Sequence, residues 1–155
     1  LLKINFMAFS LSKLFGKNTS ESKTKSSDSI EAIIRDVENK PFGVSENNVL
    51  FAGLNELGGY FFFQTIIVGQ FKIKSKTGAK LFFTGENFEL ELDADSLEFE
   101  SEGSDIKGRN VTKIDFQIEE NDIKKLEKAK LSSIKIKCKK QNVLFIKSVV
   151  SEEEE

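Results

Sequence analysis

The sequence predicts a mainly β fold of the α+β class: an antiparallel β-sandwich or a strongly curved sheet, covered by one N-terminal helix and carrying one short helix before its last two strands. Three observations lead there. Beyond Phe42, apolar and polar residues alternate in Phe71–Lys74, Phe88–Leu92, Leu97–Glu100, Ile114–Ile118 and Ile134–Cys138, the period of half-buried strands. Turn signals at Gly58-Gly59, Thr77-Gly78, Thr84-Gly85, Asp93 to Ser96 and Gly103 to Asn110 separate these segments at spacings that favour hairpins over crossovers. Phenylalanine is abundant, with 15 residues against one tyrosine and no tryptophan, so the core is expected to be rich in Phe, Ile and Leu.

The chain of 155 residues divides into four parts. Residues 1–16 form a short amphipathic segment, 17–28 a polar linker, 29–150 a single β-rich domain, and 151–155 an acidic tail. The opening is Leu1-Leu2-Lys3 and the single methionine is Met7, so Met7 is expected to be the natural start. From Met7 to Phe15 the apolar residues Met7, Ala8, Leu11, Leu14 and Phe15 share one helical face, with Lys13 off it and Gly16 placed to cap. Ser10, Ser12 and Lys13 interrupt this stretch, so it lacks the unbroken apolar region of a secretory signal. Residues 17–28 are dominated by Ser, Thr and Lys, which bury too little apolar surface to offset chain entropy.

The domain opens with Asp28 or Ser29 as N-cap and Ile30, Ile33, Ile34 and Val37 on one helical face. Pro41 is expected to end that helix. Tyr60–Val68 is apolar almost throughout and does not alternate, so it reads as a central strand covered on both faces, one of them by this helix. A second helix is expected from Asn121 or Asp122, with Ile123 and Leu126 inward and Lys124, Lys125 and Lys128 outward. No apolar run approaches the roughly eighteen residues of a membrane-spanning helix.

Histidine is absent, which removes the usual proton shuttle near neutral pH, every Ser-His-Asp or Cys-His arrangement, and the commonest zinc ligand. Cys138 is the only cysteine, so an intramolecular disulfide is excluded and a reducing compartment is indicated. It falls in register with Ile134 and Ile136 and is expected to be a small core residue. Gly53 to Gly59 has the first glycine spacing of a phosphate-binding loop but lacks its lysine, and reads as a hairpin turn. Asp93-Ala-Asp95-Ser resembles the start of a calcium loop, yet Glu98 stands where a glycine must make the turn. The sequons at Asn18 and Asn110 matter only to an exported protein. No cofactor, metal or catalytic residue is assigned, and specific nucleic-acid binding is not expected, since stacking aromatics are missing beside the lysines.

Lysine outnumbers arginine heavily, with Arg35 and Arg109 the only arginines, a usage of AT-rich bacterial coding. The formal charge of −2 conceals strong segregation: residues 86–105 carry nine acidic side chains and no basic one, whereas 124–147 carry nine lysines and only Glu127 as an acid. The expectation is that Glu89 and Glu91 lie across from Lys135 and Lys137 in neighbouring strands. The alternative keeps an acidic patch (Glu89, Glu91, Glu98, Glu100) apart from a basic one (Lys135, Lys137, Lys139, Lys140), able to steer a charged partner.

The functional expectation is a non-enzymatic cytoplasmic binding or scaffolding domain. It is tethered through its N-terminal helix to a protein partner or to the inner membrane surface, with Leu11, Leu14 and Phe15 as apolar anchors and Lys13 and Lys17 as charged contacts. The alternative is a carboxylate-dependent hydrolase with an acid pair among Glu86 to Glu102 and Asp115.

Overall fold

The computed structural model describes residues 29–148; the amphipathic segment, the linker and the acidic tail lie outside them. Helix α1 (Ile30–Asp36) starts at Ser29, whose side chain accepts a hydrogen bond from the Ala32 amide at 3.1 Å. It stops at Asp36, short of Pro41, because Val37 turns extended and packs its buried side chain into the same apolar cluster as Ile33.

Eleven strands follow among the described residues. They are β1 (Gly43–Val44), β2 (Asn48–Leu57), β3 (Tyr60–Gly69), β4 (Lys74–Ser75), β5 (Lys80–Gly85), β6 (Phe88–Asp93), β7 (Phe99–Glu100), β8 (Glu102–Gly103), β9 (Asn110–Ile118), β10 (Leu131–Cys138) and β11 (Gln141–Lys147). Helix α2 (Glu120–Lys128) connects β9 to β10. Nine strands form one sheet in the order β6-β5-β10-β11-β1-β2-β3-β9-β8, antiparallel throughout, and β4 pairs with β7 in a separate ribbon. The architecture is thus mainly antiparallel β, one strongly curled half-barrel sheet with two helices. The curl carries the β6 end round to β9: Ala94 forms a β-bridge with Phe116, and the Asp95 amide donates to the Asp115 carbonyl at 2.8 Å.

The alternation of each strand assigns its two faces. The concave side is filled by Leu50, Phe63, Leu81, Phe83, Phe116, Ile136 and Phe145, all buried. Phe42, Phe63 and Phe83 stack edge to face with centroids 5.6 and 5.1 Å apart, an arrangement aromatic pairs prefer over a face-to-face sandwich. On the convex side Ile33 and Val37 form a second cluster with Val49, Phe51, Ile66, Val68 and Val111. The non-alternating run Tyr60–Val68 is β3, with Phe63 and Ile67 in the inner cluster and Ile66 and Val68 in the outer one.

Several local expectations are corrected. Phe71–Lys74 is a strand only from Lys74 onward, because the Phe71 amide donates to Asn48 Oδ1 at 2.8 Å and the Ile73 amide to Ser101 Oγ at 2.9 Å. Side-chain acceptors there replace a ladder. Leu97–Glu100 shrinks to Phe99–Glu100, since Ser96 turns the chain by accepting from the Glu98 amide, leaving Leu97 62% exposed. Gly53 to Leu57 belongs to β2, and only Gly58 and Gly59, with φ of 62° and 87°, make the hairpin turn. Two successive positive φ values suit the twist of a tight hairpin and require glycine or a near substitute. Helix α2 begins at Glu120, ahead of Asn121, with Glu119 as a cap that makes no side-chain hydrogen bond.

Candidate functional site

The curl brings part of the acidic stretch 86–105 against β9. After β6 the chain passes Asp95, Ser96 and Glu98 before Phe99 joins β7, and these residues face Lys113, Ile114 and Asp115 of β9 across a pocket of about 170 Å³. Asp115 is opposite Gln64 of β3 in the sheet register, and its Oδ1 is buried without a hydrogen-bond partner. Desolvation pushes its carboxyl above the ordinary range and nearby Asp95 adds to this, while Lys113 and Gln64 act in the opposite direction. A carboxyl whose pKa is raised by burial is one requirement of a general acid. The volume, however, falls below the roughly 300–1,000 Å³ of common small-molecule sites. Among the described residues no group of three or more Cys, Asp or Glu side chains is placed to hold a metal ion.

The acidic and basic strands do not pair. Strand β5 lies between them: Phe82 is opposite Glu91 on one side and Lys135 on the other, and Lys80 is opposite Asp93 and Lys137. The expected Glu89 and Glu91 to Lys135 and Lys137 partnership is therefore overturned by the strand order, which sequence spacing does not specify. Lys80 takes the acids instead, 2.9 Å from Glu91 and 2.6 Å from Asp93. These neighbours and their hydrogen bonds raise its pKa. Lys135 lies over the Phe82 ring, 5.2 Å from its centroid. Lys139 donates to the Lys74 carbonyl at 2.9 Å, tying the β10–β11 turn to β4. Lys137 and Lys140 are exposed, as are Glu89, Glu98 and Glu100, with Glu100 opposite Lys74 in the two-stranded ribbon. Of the charged residues named from the sequence, Glu98 and Asp115 line the pocket with Asp95 from the Glu86 to Glu102 stretch, whereas Glu89, Glu91, Glu100, Lys135, Lys137, Lys139 and Lys140 are spread over the exterior.

Cys138, the last residue of β10, is buried in the inner cluster with its Sγ 3.5 Å from the Gly78 carbonyl, and burial raises its pKa. A buried thiol with a raised pKa is a poor nucleophile. Leu11, Lys13, Leu14, Phe15 and Lys17, the expected partner contacts, lie outside the described residues.

The convex face holds what the sequence did not indicate. Leu144 is opposite Lys135, and Ile146 is opposite Ser133 on one side and Val44 on the other. Leu144 and Ile146 are 53% and 56% exposed. Half-buried Val44 of β1 continues this apolar row from Ile146, whereas exposed Lys135 of β10 stands between Leu144 and half-buried Phe82 of β5. The signal available was Val143–Ile146, an apolar run with both faces hydrophobic, though nothing in it says which face meets water. Arg109 was also missed: its side chain is 1% exposed and its Nη1 lies 3.0 Å from Asp36 Oδ2, joining α1 to the loop before β9.

No helix among the described residues is long and apolar enough to cross a membrane. Comparison of the chain with protein-family models, with curated proteins and with solved structures yields no match.

Proposed function

We propose that the chain is a non-enzymatic cytoplasmic binding or scaffolding domain, attached through its N-terminal amphipathic segment to the inner membrane surface or to a protein partner. One observation carries this reading. The concave side, where a curled sheet would hold a small ligand, is filled by Phe63, Phe83, Phe116 and Phe145 at full burial, while apolar side chains are left on the convex exterior at Leu144 and Ile146. A filled interior with apolar surface outside fits a protein that meets other surfaces. The absence of histidine adds to it.

The test uses the chain as it stands, with a double variant L11D/L14D that abolishes the apolar face of the segment. Wild type is expected to sediment with anionic vesicles and to be released by salt, since each lysine near such a surface contributes about 1 kcal/mol. The variant is expected to stay in solution. Wild type that fails to sediment removes the membrane from this proposal and leaves the protein partner.

The convergence of Asp95, Glu98 and Asp115 on one pocket favours a second reading, a carboxylate-dependent hydrolase. There Asp115 serves as general acid and Asp95 or Glu98 as the ionised partner. Turnover of an activated glycoside by wild type, lost in Asp115→Asn, supports it. Turnover that is equal in both, or absent, ends it.

A further inference from the structure

We infer that the acidic run Ser151–Glu155 docks on the lysine face of α2, so that the chain covers its own basic surface with a carboxylate-rich segment. The helix period builds that face. Leu126 is buried and Ile123 half-buried, which turns Lys124, Lys125 and Lys128 outward, and Lys130 is exposed just beyond the helix end. Residues three and four apart are neighbours on a helix surface, so Lys124, Lys125 and Lys128 form one group. None of the four lysines is ion-paired with a described residue. Glu120 and Asp122 lie in the first turn, leaving half-buried Glu127 as the acid of α2 that stands among them. Charge is thus polarised along the helix, with its positive end next to β10.

The acidic run leaves the fold at that same end. Strand β11 pairs with β10 as far as Ile146 opposite Ser133, and this register carried two residues on sets Ser148 level with Leu131, the residue after Lys130. Lys130 is held in place there, its carbonyl accepting from the Glu86 amide at 3.1 Å. Exposed Glu86 and Glu127 leave the four lysines in excess. From Ser148, Val149 and Val150 lead to Ser151 and four glutamates. Seven residues reach at most about 25 Å, whereas Lys124 to Lys130 spans roughly 9 Å at helical rise. Every lysine of the group is therefore within range. So short a tether holds the glutamates at an effective concentration in the millimolar range, which offsets the weakness of each exposed ion pair.

Reach also decides against the other lysine cluster. Gln141 Nε2 donates to the Lys72 carbonyl and Lys139 Nζ to the Lys74 carbonyl, so Lys72, Lys74, Lys139 and Lys140 gather at the far end of β11. By strand rise that end is about 23 Å from Ser148, and the tail meets it only when fully stretched.

The experiment places a nitroxide on Glu155→Cys in the full chain, Cys138 being buried, and reads amide signals along α2. At low salt the Lys124 and Lys125 amides are expected to lose most of their intensity. The loss is expected to be relieved at about 1 M salt, where charges are screened within about 3 Å, and in K124Q/K125Q/K128Q. It is also expected to be relieved in E152Q/E153Q/E154Q, which leaves the helix untouched. Broadening that neither salt nor either variant relieves is that of an unattached tail and overturns the proposal, as does its absence at low salt. Broadening centred on Lys72 and Lys74 overturns it too, and so does broadening passed only from nitroxide-bearing chains to isotope-labelled ones in a mixed sample, which makes the docked tail that of a second copy.

Discussion

Arg109 and Asp115 show how little a side chain's type says about its place. Lysine is the usual cation of this chain, and the arginine at 109 is where a guanidinium can be buried while keeping a partner, Asp36 at the end of α1. Truncating one member of a buried pair leaves the other without compensation. Because Asp36 is partly exposed, Arg109→Met is expected to lower stability by about 2–3 kcal/mol, at the low end for such pairs, read from urea unfolding midpoints; a change below 0.5 kcal/mol makes the contact dispensable. Asp115 presents the opposite case, a carboxylate that burial penalises. A pKa raised in the folded state means that folding takes up a proton, so this group's contribution favours the fold below the ordinary carboxylate range and is lost as pH rises through the raised value. Asp115→Asn is therefore expected to melt higher than wild type at pH 7, the advantage shrinking as pH falls toward about 3.9. A variant that melts lower at pH 7 shows that the charge is held by a favourable interaction.

The strands that alternate, β6, β9 and β10, were legible from residue spacing alone, as was the helix after Ser29, whose side chain caps it by accepting from the Ala32 amide. Loss of that cap in Ser29→Ala is expected to cost about 1 kcal/mol, seen as a lower thermal midpoint. Strand β2 escaped notice because Val49, Leu50 and Phe51 are buried in succession, on both sides of the sheet, and Gly53 breaks what pattern remains. Periodicity reports burial on one face, and β2 has two. Order within the sheet was not legible at all, and the charged surface depended on it: the acids of β6 and the lysines of β10 flank β5 instead of meeting. Two substitutions distinguish this arrangement from direct pairing. Lys137 is opposite Lys80, so Lys137→Glu replaces two like charges by an attractive pair and is expected to leave the melting temperature unchanged or raise it. Lys80→Glu sets an acid against Glu91 and Asp93 together and is expected to lower it. The reverse ranking requires β6 and β10 to be neighbours.

The chain as a whole is held in its curl by contacts between the two ends of one sheet, and this governs whether the pocket exists. Asp95, Ser96 and Glu98 belong to the β6 side and Lys113 to Asp115 to β9, and the seam is closed at the Ala94 bridge to Phe116, where the Asp95 amide donates to the Asp115 carbonyl. Asp115 owes its burial to the same closure, and the acid pair of the hydrolase reading exists only while the seam is shut. Asp95→Pro removes the donor and keeps the chain; Asp95→Ala removes only the carboxylate and serves as its control. A backbone hydrogen bond contributes about 0.5–1.5 kcal/mol net. The proline variant is therefore expected to exchange the amides of Ile114 to Phe116 and of β6 severalfold faster than the alanine variant. The β2–β3 hairpin, clamped by α1 on its convex side, keeps its protection in both. Equal exchange at the seam in the two variants locates the force that bends the sheet in the packing of Phe63, Phe83 and Phe116, with the bridge as its consequence.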